Sequence, residues 1–308
     1  MPNYDAKKAF IERERLPEGY LATAQRFFDP IVKAVGKRYK VNQGRPLILG
    51  LCGSQGSGKS TLSAYLSEML TCEGLKAQCL SLDDFYLTKH QRSQLAEDVH
   101  PLFVTRGVPG THDIPLMRQF FEDVKARKVG VRVPRFDKAS DDRLSDDKWT
   151  VLDEAIDVLI FEGWCWGVDA CVEDELKEPV NDFEKQNDTD AVWRRYANNI
   201  LRDEMAGLYD YIDHWLFLRA PSFEQVYAWR LEQEQKMRLQ LPATAKNKGM
   251  TAEEIHVFIQ HYQRLTQRLI KDFPSRADVV WQLGEAREVV SMRVTGELAK
   301  LGVVECHA

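Results

Sequence analysis

A chain of 308 residues with 44% hydrophobic and 29% charged side chains can bury one large core and carry appendages on it. Its net charge of -5 argues against a surface built for nucleic acid or anionic membrane, so any anionic ligand has to be met by a local cluster of cations. The six cysteines form no C-x-x-C pair and no Cys/His set at zinc spacing, and no stretch approaches the roughly 20 apolar residues of a membrane span.

The first segment, MPNYDAKKAFIERERL, is charged from residue 5 onward and lacks the apolar centre of a signal peptide. With thiols that read as buried and reduced, this predicts a cytoplasmic protein. Over residues 5–40 the apolar positions Phe10, Leu16, Tyr20, Phe27, Phe28, Ile31 and Val32 recur at helical spacing. The reading is an N-terminal helical appendage (residues 1–44) packed on the main domain and ended by the turn 42-NQGRP-46.

From residue 45 the pattern becomes strand, loop and helix in alternation. Apolar runs 47-LILGLC-52, 77-AQCLSL-82, 156-IDVLIFEG-163, 213-DHWLFL-218 and 278-DVVWQL-283 alternate with amphipathic helices. That order predicts an α/β fold with a central parallel sheet covered by helices on both faces. Helices are expected from residue 60 to 70, from Asp113 (with Pro115 in the first turn), and over 191–207, 222–240 and 252–271. The acidic, aperiodic stretch 164–190 reads as the start of an excursion from the core reaching to about residue 205, and 241-LPATAKNKGM-250 as a loop.

The chemistry begins where the first strand ends. Gly53-x-x-x-x-Gly58-Lys59-Ser60 is a complete Walker A spacing, with a buried strand before it and a helix after it. Gly53, Gly56 and Gly58 allow the backbone to turn its N–H groups inward around a phosphate, and the helix N-terminus adds partial positive charge. Ser54, Gln55 and Ser57 complete the loop, Lys59 reaches the terminal phosphates, Ser60 is placed on magnesium, and Thr61 is a donor to the α-phosphate.

The second strand ends 80-LSLDDFY-86, which puts Asp83 and Asp84 at the sheet edge where such folds hold their ligands. Either carboxylate can orient or deprotonate a substrate hydroxyl or help hold metal; Asp83 is preferred as the base. The third strand ends in Glu162, a second acidic group on the magnesium side. Between them, 105-TRGVPGTHD-113 and 133-VPRFDKASDDR-143 bring Arg106, His112, Arg135, Lys138 and Arg143 into loops off the same sheet, cations suited to a small anionic acceptor. The stretch 229-WRLEQEQKMR-238 is either a solvated helix with i,i+4 pairs such as Glu232 to Lys236, or a lid whose Arg230 closes on the phosphates.

Taken in order, GSQGSGKST, LDDFYLT, RGVPGTHD, VPRFDK, FEGWCWG, PVND, AWRLEQEQKMR and 249-GMTAEEIHVFIQHYQRL-265 resemble the D-glycerate 3-kinase group of P-loop kinases, relatives of phosphoribulokinase, uridine kinase and bacterial pantothenate kinase. The resemblance implies the P-loop kinase fold over residues 45–308, with a helical lid at about 222–250. It implies ATP as co-substrate on Gly53 through Thr61 and Mg2+ on Ser60 and Glu162. Lys59, Asp83 and Arg230 become the catalytic residues, and Asp83, Tyr86, Arg106, Lys138 and Arg143 the contacts of a small hydroxy acid, D-glycerate first. Kinases for other acceptors (pantothenate, a nucleoside, a sugar acid) remain alternatives, as does a nucleotide-dependent switch. Against a guanine switch, the nearest string to N-K-x-D is 247-NKGM-250, which lacks the aspartate.

Overall fold

The computed structural model describes residues 4–240 and 249–307. Among the described residues there are eleven strands: β1 (Leu47–Gly53), β2 (Ala77–Ser81), β3 (Val131–Val133), β4 (Phe136–Asp137), β5 (Asp142–Arg143), β6 (Thr150–Leu152), β7 (Val158–Gly163), β8 (His214–Arg219), β9 (Val279–Leu283), β10 (Val289–Val294) and β11 (Cys306–His307). Seven of them make one sheet in the order β11-β10-β9-β8-β1-β7-β2. Strands β2, β7, β1, β8 and β9 run parallel, as the continuous apolar runs predict, and β10 and β11 add an antiparallel edge. That edge was not foreseen: 289-VVSMRV-294 reads as neither a pure apolar run nor a regular alternation. Two ribbons, β3 with β6 and β4 with β5, stand apart from the main sheet.

Strands β1 and β7 are buried along their whole length, so both faces are covered. One cover is the helix Lys59–Cys72, which buries Leu62, Tyr65, Leu66, Met69 and Leu70. The N-terminal helices continue the same core through Phe10, Phe27, Phe28, Ile31 and Val32. They are pinned by a buried pair, Lys7 with Asp29, and the Tyr65 hydroxyl donates to Asp29 at 2.7 Å. A charge buried this deeply is tolerated because both partners are hydrogen-bonded.

The segment after β7 departs from expectation at its start. Trp164, Cys165, Trp166 and Val168 are core residues, and the chain leaves the core only after them. Further on, Glu184 and Asp188 are buried against Arg264 (2.6 Å) and Arg194 (2.9 Å), so part of this segment's acidity is used in packing. The six cysteines are free, but the expected burial holds only for Cys52 and Cys165; Cys79, Cys171 and Cys306 are half-buried and Cys72 is exposed at the end of its helix. Among the described residues no helix is long and apolar enough to cross a membrane.

Candidate active site

The loop after β1 has the shape its glycines foretell, with one difference of cause. Gly56 (φ +74°) and Gly58 (φ +88°) occupy the left-handed region, and Gly58 starts the helix Lys59–Cys72 with no side-chain cap. Gly53 has an ordinary backbone angle. It is glycine for space, since a Cβ there would lie 2.7 Å from Ser57 Oγ and 3.2 Å from Leu218 Cβ. Leu62 N–H returns to Gly58 O at 3.0 Å, which leaves the N–H groups before it as the free donors of a helix N-terminus.

The parallel register sets Glu162 beside Leu51 of β1 and Ser81 of β2, directly behind this loop. Ser60 Oγ donates to Glu162 Oε1 at 2.8 Å, and Lys59 Nζ stands 3.9 Å from Glu162 Oε2. Among the described residues, Glu162 Oε2, Ser54 Oγ, Gln55 Oε1 and Ser57 Oγ are buried without a hydrogen-bond partner. Buried orphan polar atoms are rare in folded proteins, and four around one glycine loop suit a ligand that brings its own phosphates and cation. A hydroxyl and a carboxylate are hard oxygen donors suited to magnesium, which is commonly held by few protein groups and completed by phosphate and water. Among the described residues no group of three or more His, Cys, Asp or Glu that could hold a metal occurs.

The acidic pair after β2 divides. A short 3-10 turn (Leu82–Phe85) turns Asp83 and Asp84 toward different partners. Asp83 receives Tyr86 Oη at 3.0 Å and Lys138 Nζ at 2.8 Å. Burial works to raise its pKa, but Lys138, Lys59 and Tyr86 together outweigh it, so the net shift is downward. Asp84 takes Arg135 at 2.8 Å, and there burial wins and the pKa is raised. Asp83 is therefore the carboxylate that senses the P-loop lysine.

Segments 85–87 and 111–113 pair side by side: Asp113 N–H donates to Phe85 O at 2.8 Å and Leu87 N–H to Thr111 O at 2.9 Å. This stacks His112 on Tyr86 with ring centres 4.5 Å apart. Burial pushes the His112 pKa down to about 4 from 6.5, although Asp83 pulls the other way. The ring is neutral in the folded protein, while the unfolded chain takes up a proton below about pH 6.5. Stability should fall as pH drops through that window, by about 2 kcal/mol between roughly pH 7 and pH 5, and level off below about 4. Urea melts across this range, with His112→Phe as the variant that lacks this component, check it.

The other expected cations are all engaged. Arg106 pairs with Asp141, which the buried Arg92 also holds at 3.1 Å, and Arg143 pairs at 2.7 Å with Asp113, the N-cap of helix Ile114–Lys125. The Arg106 loop is locked from above: Tyr262 Oη donates to Arg106 O at 3.1 Å and Trp164 Nε1 to Gly107 O at 3.0 Å. At Gly107 (φ +138°) a Cβ would lie 2.5 Å from the Tyr262 ring. Gly107→Ala is expected to cost about 2 to 4 kcal/mol through overpacking and backbone strain, read as a lowered thermal midpoint.

The lid region is a helix from Phe223 to Gln240, while residues 241–248 of the expected loop lie outside the described residues. The i,i+4 pairing expected of this helix is present. Glu232 pairs with Lys236, and Arg230 sits 2.7 Å from the buried Glu234, with its guanidinium over the Phe258 ring at 5.8 Å. Three participants escaped the sequence reading. Trp164 and Tyr262 lay inside recognised blocks without an assigned role, and Arg287, in the turn between β9 and β10, had no motif around it.

Comparison with known proteins agrees with this geometry. Residues 48–181 match the phosphoribulokinase / uridine kinase family. Over 246 residues the chain is 34% identical to the uncharacterized kinase mug58 of Schizosaccharomyces pombe, covering 76% of this chain and 84% of that protein. It is 29% identical over 230 residues to the chloroplastic D-glycerate 3-kinase of Arabidopsis thaliana, covering 70% of this chain and 46% of that one. The solved D-glycerate 3-kinase of Cryptococcus neoformans superposes with a TM-score of 0.71 at 27% identity, over 86% of this chain and 98% of that chain. Identity carried across most of both chains, on a sheet whose central strand opens into a glycine loop backed by Glu162, means that this chain belongs to the phosphoribulokinase/uridine kinase family of P-loop kinases.

Proposed function

We propose that the protein transfers the γ-phosphoryl group of ATP to a hydroxyl of a small hydroxy acid, with D-glycerate as acceptor and 3-phosphoglycerate as product. The observation that carries the reading is the placement of Asp83, which follows the end of β2 next to the Glu162 register and receives Lys138 at 2.8 Å and Tyr86 at 3.0 Å. Two relatives named as D-glycerate 3-kinases support the choice of acceptor.

The loop from Gly53 to Thr61 holds the phosphates, and Lys59 neutralises charge as it develops on the transferred group. Ser60 and Glu162 would hold magnesium, which would supply charge neutralisation on the phosphates. Asp83 accepts the acceptor hydroxyl and orients it in line. A carboxylate of low pKa suits this task because a loose phosphoryl-transfer transition state asks more for positioning than for early proton removal. Lys138 and Arg106 meet the acceptor's carboxylate, Tyr86 lines the pocket, and Arg143 supports its wall through the Asp113 cap. Arg230, released from Glu234, closes over the phosphates as the lid residue. Six free thiols accord with a cytoplasmic location.

The test is ADP release by the purified protein with Mg-ATP, alone and with D-glycerate, L-glycerate, pantothenate, uridine or ribulose 5-phosphate. Strong stimulation by D-glycerate alone is expected. Stimulation by another compound replaces the acceptor, and acceptor-independent turnover overturns the kinase reading.

A further inference from the structure

The turn joining β9 to β10 reaches the phosphate loop from the far side of the sequence. Gly284 N–H donates to Glu288 O at 2.8 Å and Arg287 N–H to Gly284 O at 3.1 Å, which holds Arg287 in the left-handed region at φ +68°. A non-glycine residue in this region is uncommon and draws attention to what its side chain does. The Arg287 side chain is fully committed. Nε donates to Gly56 O at 2.8 Å, one terminal nitrogen meets Glu232 at 2.6 Å, and the other reaches Trp229 O at 3.4 Å. Its guanidinium lies over the Trp229 ring at 5.3 Å.

Trp229 closes the arrangement. Its side chain is buried, its Nε1 donates to Glu285 O at 2.6 Å in the same turn, and it packs so tightly on the loop that a Cβ at Gly56 would lie 2.8 Å from Trp229 Cβ. The next residue along the helix is Arg230. One guanidinium thus bridges the carbonyl of the P-loop's Gly56 and the root of the helix that presents Arg230.

We propose that Arg287 is a positioning residue for nucleotide binding, one that fixes the outer limb of the phosphate loop against the helix Phe223–Gln240. The proposal rests on the kinase reading for its consequence in turnover but not for its consequence in binding. By holding the Gly56 carbonyl outward, Arg287 sets the plane of the Gly56–Ser57 peptide and so the curvature of a loop that carries two glycines in left-handed conformations. It does so without lying within the motif. Arginine is required because a planar fork can serve Gly56, Glu232 and Trp229 at once while stacking on an indole, which a lysine ammonium cannot.

The test compares Arg287→Lys, Arg287→Met and Glu232→Gln with the wild type. ATP and ADP binding are followed by calorimetry in the absence of acceptor, and KM for ATP, KM for acceptor and kcat are measured alongside thermal melts. Arg287→Lys should fold and weaken ATP binding about tenfold, the loss of one charge-assisted hydrogen bond, with KM for the acceptor unchanged. Arg287→Met should weaken it further, and Glu232→Gln, which keeps the bond to Gly56, should weaken it less than either. A merely structural residue would instead lower the melting point and leave the folded protein's ATP affinity intact. ATP affinity within twofold of wild type in folded Arg287→Lys overturns the proposal. Should Arg287→Met fail to fold, the lysine variant decides. A wild type that binds ATP but phosphorylates no acceptor fails the kinase reading and leaves this binding comparison standing.

Discussion

Lys59→Ala is expected to fold normally and to lose phosphoryl transfer by roughly 10³-fold, the scale seen when a positioned charge-stabilising donor is removed from an active site. The side chain is partly exposed at the mouth of the loop and touches Glu162 only at 3.9 Å, so little packing goes with it. Glu162 keeps the Ser60 hydroxyl at 2.8 Å. The thermal midpoint should therefore stay within a few degrees of wild type while ADP formation with acceptor collapses. An unfolded variant, or one that turns over at the wild-type rate, removes the role given to Lys59.

Asp83→Asn is the second large effect, a fall in kcat of about 10²- to 10⁴-fold with modest change in KM for ATP. The amide oxygen can still accept from Tyr86, so the turn survives, but the charge that Lys138 and Lys59 hold in place is gone. Asp84→Asn should act differently. It breaks the pair with Arg135, and its cost should appear mainly as reduced stability with kcat within about tenfold of wild type. If the Asp84 variant is the inactive one and Asp83→Asn turns over normally, the two carboxylates exchange roles. Because the Asp83 pKa is lowered, the carboxylate stays charged on mild acidification, so its own contribution to the rate declines only below the ordinary carboxylate range.

The features legible in the chain are those that neighbouring residues decide among themselves. Gly53 through Ser60 forms a loop because its glycines, an adjoining apolar strand and a following helix are consecutive in sequence, and the helix cap at Asp113 follows from a spacing of three residues. Glu162 and the acidic pair could be placed at the sheet edge because a parallel strand flanked by helices delivers its last residue to the ligand side. Less was visible where the pattern was mixed. The edge strand β10 was missed for that reason, and the burial of Trp164 and Trp166 was hidden because core aromatics in an acidic stretch break no rule of periodicity.

The sequence by itself determined the fold class, the phosphate loop and the set of charged residues from which a site is built. Only the tertiary structure decided how those charges are divided: Asp83 toward Lys138 and Lys59, Asp84 toward Arg135, Arg106 toward Asp141, and Arg230 toward Glu234. It alone brought Arg287 to Gly56, across 231 positions of chain. The reason is physical. Backbone conformation follows from local sterics and periodicity, whereas the partner of a charge depends on which distant segments the packed sheet brings within a few ångströms.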